Sequence, residues 1–186
     1  MYIRNSSKYG KNIKTIHPGE YYISTEDEII GTLLGSCVAL CLFDVKRGIA
    51  GMNHFMLPGK IRNDNIHDDR SAKYGITAIN KLLSEMIKKG AVKNDIIAKV
   101  FGGGKVLEHI IETNTIPADN IRVAKIMMEM EDIQIAQIDV GGNFTRKILM
   151  EVKSGSVFLK KSTRGDITRE VEKMEMDYAR ELAGRL

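Results

Sequence analysis

Two apolar runs, residues 37–44 (Cys-Val-Ala-Leu-Cys-Leu-Phe-Asp) and 49–57 (Ile-Ala-Gly-Met-Asn-His-Phe-Met-Leu), are separated only by Val45, Lys46, Arg47 and Gly48. No other part of the chain limits its fold as tightly. Runs of this length on either side of a short polar link read as strands, and so short a link returns the second antiparallel beside the first. In that hairpin Cys37 and His54, far apart in the chain, become cross-strand neighbours near one end of the sheet.

The other segments supply a frame for the hairpin. Residues 19–24 and 29–34 read as short strands, and residues 95–101 as a further strand ending at Gly102-Gly103-Gly104. Ile133, Ile135 and Gln137 lie in a strand that ends at Asp139-Val140-Gly141-Gly142-Asn143. Residues 146–152 and 157–161 flank Lys153-Ser154-Gly155-Ser156 as a second hairpin. Between Ser71 and Gly90, the apolar residues Ala72, Ile76, Ile79, Leu83, Met86 and Ile87 recur at helical spacing, with Lys88-Lys89-Gly90 as the stop. Val106, Leu107, Ile110 and Ile111 suggest a short helix. Another starts near Ala118, with Pro117 at its start and Ile121, Ala124, Met127 and Met128 facing inward. The polar stretch 59–69 reads as a mobile loop. The charged segment 168–186 is helical in character, with a narrow stripe of Val171, Met174, Tyr178 and Leu182 that could pack on the domain or on a partner.

No Pro/Gly/Ser linker or repeat divides the 186 residues, so a single domain is expected. With 43% hydrophobic and 28% charged residues, the chain has the composition of an ordinary globule. Its first eight residues hold no apolar core of signal-peptide length, and no window approaches a membrane span, which leads us to expect a cytoplasmic protein without membrane insertion. The net charge of +4 comes from basic residues interleaved with acidic ones, with few aromatics between them; this argues against nucleic-acid binding. On one strand, Cys37 and Cys41 would lie roughly 13 Å apart, beyond disulfide reach, and they are read as reduced thiols. The four histidines are scattered and the C-x3-C spacing lacks a second ligand pair, so no metal is expected.

Thiol chemistry needs a thiolate and an accessible sulfur. Gly35 and Ser36, just before Cys37, would allow a substrate to approach closely, and the peptide N–H groups of this turn could form an oxyanion hole. His54 across the hairpin could exchange a proton with the thiol. Taken singly, a cysteine in an apolar strand is more often a small buried hydrophobe, and a histidine there more often structural. Cys41, flanked by Leu40 and Leu42, is assigned to the core. Thr32 offers a hydroxyl five positions before Cys37, or simply a β-branched strand residue.

Thr-Leu-Leu-Gly-Ser-Cys-Val-Ala-Leu-Cys-Leu-Phe-Asp at 32–44, Asn-His-Phe-Met-Leu-Pro at 53–58, Phe-Gly-Gly at 101–103 and Asp-Val-Gly-Gly-Asn at 139–143 together resemble the CheD family of bacterial chemoreceptor glutamine deamidases. The resemblance covers nearly the whole chain, except a charged helical C-terminal extension at about 165–186. It implies an α+β fold in one domain, with layered mixed β-sheets and flanking helices, as in bacterial toxin deamidases. It also implies hydrolysis of glutamine side chains in methyl-accepting chemotaxis receptors to glutamate and ammonia through a thioester. Cys37 would be the nucleophile, His54 the base and Thr32 the third residue, supported by the backbone at Gly35 and Ser36; no cofactor is implied. A CheC-type phosphatase is the further partner implied, and recruitment to membrane receptor arrays would follow from the substrate. The alternatives are a non-catalytic or dual-role adaptor for that phosphatase, and a side activity on receptor glutamyl methyl esters.

Overall fold

The computed structural model describes residues 1–57, 60–63, 65–106, 115–163 and 165–183. Its strands are β1 (Tyr2–Ser6), β2 (Lys11–Thr15), β3 (Tyr21–Ser24), β4 (Ile29–Leu34), β5 (Val38–Asp44), β6 (Ile49–Phe55), β7 (Ile96–Gly102), β8 (Ile135–Val140), β9 (Thr145–Glu151) and β10 (Val157–Ser162). The helices are α1 (Arg70–Lys88), α2 (Ile116–Met130) and α3 (Asp166–Ala183).

The expected hairpin is β5–β6, antiparallel, with Ala39 opposite His54 and Asp44 opposite Ile49. Its turn is fixed by Asp44, which is fully buried and accepts the backbone N–H groups of Lys46 (3.0 Å), Arg47 (2.8 Å) and Val92 (2.9 Å). Burial opposes ionisation of this carboxyl, yet its pKa is lowered because those N–H groups and the Arg47 charge favour the anion.

Two mixed five-stranded sheets result, ordered β3-β6-β5-β7-β8 and β1-β2-β4-β9-β10. In the first, all pairs are antiparallel except β7–β8; in the second, all except β2–β4. Because side chains alternate along a strand, the fully buried β5 serves two layers at once. Val38, Leu40 and Leu42 join Leu82, Met86, Val123 and Met127 of α1 and α2 in one core. Ala39, Cys41 and Phe43 join Ile30 and Leu34 of β4 and Ile148 and Met150 of β9 in another. The architecture is therefore helix/sheet/sheet, an α+β fold with layered mixed sheets. Each fully buried Leu, Ile or Phe contributes ~1.5–3 kcal/mol, and β5 and β6 are buried at every position.

Several details differ from the sequence expectation. Ile87, placed on the inner stripe of α1, is 45% exposed, and Leu82 takes that role at 0%. Gln137 is exposed at the sheet edge. The β1–β2 hairpin has no apolar pattern to betray it, since β1 is largely exposed and Ile13 is the only buried residue of the pair. Strand β5 begins at Val38, which leaves Cys37 in the turn before it. The short helix expected around Leu107, Ile110 and Ile111 lies outside the described residues.

Candidate functional site

The hairpin register sets the first half of the site. Ala39 and His54 are directly opposed, so Cys37, two residues before Ala39, is the diagonal neighbour of His54 on the face turned toward the second sheet. There Thr32, on the inward face of β4, meets the imidazole. Its Oγ1 lies 2.8 Å from His54 Nδ1 and also 2.8 Å from the Ile16 carbonyl oxygen, to which it donates. A hydroxyl has one proton, and a carbonyl can only accept. With that proton directed at Ile16, Thr32 accepts from Nδ1–H, and the tautomer so fixed leaves the lone pair on Nε2. No described group hydrogen-bonds to Nε2. The expected Cys37, His54 and Thr32 are thus brought together, although they come from two different sheets.

The turn before β5 forms the second half. Gly102, the last residue of β7, and Gly103 after it have φ of 113° and 62°, and the Gly103 N–H donates to the Cys37 carbonyl at 2.7 Å. A Cβ on Gly102 would fall 2.2 Å from that carbonyl oxygen, so the close approach and the left-handed backbone both require glycine. The Gly104 N–H donates to the Gly35 carbonyl at 2.6 Å. Asn120 of α2, fully buried, donates to the Ser36 carbonyl at 2.9 Å and accepts the Leu57 N–H at 2.8 Å, tying the turn to the segment just after β6.

With its carbonyls held from behind, the turn directs its N–H groups forward, and all three converge on Glu175 of α3. Gly35 N–H (3.0 Å) and Cys37 N–H (2.9 Å) donate to Oε1; Ser36 N–H (2.9 Å) and the Ser36 hydroxyl (2.7 Å) donate to Oε2. The Cys37 sulfur, an imidazole nitrogen of His54 and a Glu175 carboxylate oxygen lie within 4.8 Å of one another. Cysteine, histidine and glutamate are also a metal-ligand set. Here, however, each carboxylate oxygen already accepts two hydrogen bonds, its usual capacity.

The sequence expectation of an accessible thiol is not met in this conformation, because Cys37 is 0% and His54 1% exposed. Burial pushes the Cys37 thiol well above its usual range, and the adjacent Glu175 carboxylate adds to the effect. Burial likewise lowers the His54 pKa to about 3, with a smaller contribution from His17. Both groups are therefore neutral at pH 7. Cys41 is packed between the sheets with its thiol pushed up to about 12 by burial, as its core assignment anticipates.

Three residues escaped the sequence reading. Glu175 falls on the same helical face as Val171, Tyr178 and Leu182, and a lone acid inside an apolar stripe was the available signal. Asn120 gave none. Arg146, beside Leu34 in the β4–β9 register and 1% exposed, explains the Asp-Val-Gly-Gly-Asn segment. Its Nε donates to Asp139 (2.9 Å), its Nη2 to the Gly141 carbonyl (2.7 Å), and its guanidinium lies 4.4 Å from the Phe144 ring centroid, so it links the two sheets near Gly104.

Fold and site together define the class as a single-domain α+β protein with a cysteine–histidine pair at one end of the layer between two sheets. Residues 56–161 match the family described as CheD chemotactic sensory transduction. A protein of Hahella chejuensis named "Probable chemoreceptor glutamine deamidase CheD" is 36% identical over 173 residues, covering 90% of this chain and 80% of that protein. Proteins with the same description from Dechloromonas aromatica (39% identical, 84% and 77% covered) and Burkholderia thailandensis (32%, 96% and 91%) also match. The chain belongs to the CheD family. Among solved structures, the Bacillus licheniformis hypothetical protein YfiH aligns over 66% of this chain and 49% of its own, with 12% identity and a TM-score of 0.42, a likeness too slight to carry weight.

Proposed function

We propose that this protein hydrolyses glutamine side-chain amides of chemotaxis receptors to glutamate and ammonia, with Cys37 as nucleophile and His54 as base. The observation that carries this reading is the convergence of three backbone N–H groups on one carboxylate beside the Cys37 sulfur and the imidazole, those of Gly35 and Cys37 meeting at a single oxygen. The names of the relatives supply the substrate. His54 Nε2 takes the thiol proton, and the sulfur attacks the carboxamide carbon. The N–H groups of Gly35, Ser36 and Cys37 stabilise the oxyanion. Collapse breaks the C–N bond, and the nitrogen leaves as ammonia with the proton held by His54, giving a thioester. Water, deprotonated by His54, then adds to the thioester; the C–S bond breaks, leaving a glutamate side chain and the thiol. Thr32, by accepting Nδ1–H, holds the imidazole in the tautomer that can act as base.

The test is incubation with the cytoplasmic domains of receptors from the same cell, followed by peptide mapping. Each converted glutamine gains about one dalton, whereas hydrolysis of a glutamyl methyl ester, the possible side reaction, would remove about fourteen. Cys37→Ala abolishes the gain. An adaptor holding a CheC-type phosphatase on this face without chemistry gives the opposite result, with the phosphatase captured and every receptor glutamine unchanged. Action on receptors would also bring the protein to receptor arrays.

A further inference from the structure

The group seated on the N–H cluster is the side chain of a glutamate, the product of the proposed reaction, and it is presented by a helix. Glu175 is 1% exposed, and all its described partners are the donors of the 35–37 turn. The helix is shaped to this seat. One turn before Glu175, Val171 is fully buried, and a Cβ on Gly35 would lie 3.0 Å from its Cγ1 and 2.8 Å from Glu175 Oε2. Three residues after Glu175, the Tyr178 hydroxyl meets the Tyr74 hydroxyl of α1 and lies against Gly19, next to the segment that hydrogen-bonds the His54 backbone. Leu182, a turn further on, is buried in the inter-sheet core. Residues 171, 175, 178 and 182 make one face of a helix. Hydrophobic packing alone would not place a carboxylate there, since burying an acid is costly unless hydrogen bonds replace its water.

We propose that α3 lies in the substrate groove as an internal mimic of the deamidated product, and that the groove reads a helix presenting glutamine, with apolar residues one turn before it and one and two turns after it. In this proposal, which rests on Cys37 being the nucleophile, a receptor helix competes with α3 for the seat and displaces it. The closed form holds the thiol neutral and shielded; displacement of Glu175 removes both the cover and the adjacent negative charge.

Two full-length variants test the competition. Val171→Asp places a charge in the buried anchor, and Glu175→Ala removes the four hydrogen bonds; each shifts the balance toward the open form. Iodoacetamide labelling of Cys37, read by peptide mass, accelerates by about tenfold or more in both, while receptor deamidation rises severalfold. Cys41, between the sheets, stays unlabelled and reports that the fold is intact. Unchanged Cys37 labelling in both variants, with Cys41 protected, overturns the proposal even if receptor glutamines are still converted. Accelerated labelling with no receptor conversion by any form keeps α3 as the cover and overturns the deamidase reading instead. A third variant, Glu175→Gln, makes α3 an internal substrate. The Cys37 sulfur attacks the carboxamide introduced there, the C–N bond breaks with release of ammonia, and water cleaves the thioester to a glutamate, a gain of about one dalton absent when Cys37→Ala is combined with it. Persistence of that carboxamide in a protein that converts receptor glutamines overturns product mimicry.

Discussion

Cys37 and Cys41 lie four residues apart in one short segment, face the same layer, and are equally hidden from solvent. What hides them differs. Cys41 is enclosed between two sheets by β4, β5, β6 and β9, whose strands are bound by continuous ladders, and exposing it means unfolding the domain. Cys37 stands in a turn outside β5 and is covered from the front by α3, a helix that belongs to neither sheet. The two thiols show that burial measured in one conformation conflates a permanent environment with a removable one. Whether a buried cysteine is inert depends on what the covering element costs to move.

The most direct way to break the comparison is to remove each sulfur in turn. Cys37→Ala lowers receptor deamidation by about a thousandfold or more, whereas Cys41→Ala leaves turnover within roughly threefold. Gly102→Ala attacks the support of the Cys37 turn: its Cβ meets the Cys37 carbonyl at a backbone φ of 113°, and denaturant melting should show a loss of about 2 kcal/mol or more. Turnover should fall further than the folded fraction does, because the N–H cluster moves with the turn.

Thr32→Val leaves the His54 Nδ1–H and the Ile16 carbonyl without their shared partner, a cost of about 1–3 kcal/mol. It also frees the imidazole to adopt the other tautomer, so kcat falls by about tenfold or more while Thr32→Ser retains most of it. The pH dependence of stability sharpens the contrast further. His54 stays neutral when folded, with its pKa lowered to about 3, while in the unfolded chain it titrates near ~6.5. Between these values the unfolded state binds the extra proton, so stability is lost as pH falls through the window, on the order of 3 kcal/mol by about pH 4.5. His54→Asn removes that part of the slope, measured as the difference in urea midpoints between about pH 7 and 4.5. The smallest effect is the stability cost of Cys41→Ala, about 1 kcal/mol for the lost sulfur in a packed layer, with the acid slope unchanged.

Legibility followed the strength of local signals. The β5–β6 hairpin was readable because a run buried on both faces is continuously apolar and its turn is short, β4 because it too is an apolar run, and most of α1 because its buried residues recur at helical spacing. The β1–β2 hairpin was not, because Tyr2–Ser6 and Lys11–Thr15 bury only Ile13 and pair through the backbone, which any sequence supplies. Within the site, Cys37, His54, Gly35 and Ser36 stood close enough in the hairpin to be associated from sequence. The meeting of Thr32 with His54 depends on two sheets packing face to face. Asn120 and Glu175 act on partners far away in the chain, beyond the reach of any periodicity. Arg146 is near Asp139 in sequence, yet a basic residue in a strand gives no sign that it will be buried between sheets.

By itself, then, the sequence determined the hairpin, the cysteine–histidine diagonal and the family, since these rest on local patterning and a fixed side-chain alternation. Only the tertiary structure decided the tautomer of His54, the aim of the N–H groups at 35–37 and the placing of Glu175 upon them. Each of those depends on the direction of a hydrogen bond between distant elements, and direction is a property of packed geometry that residue order alone does not specify.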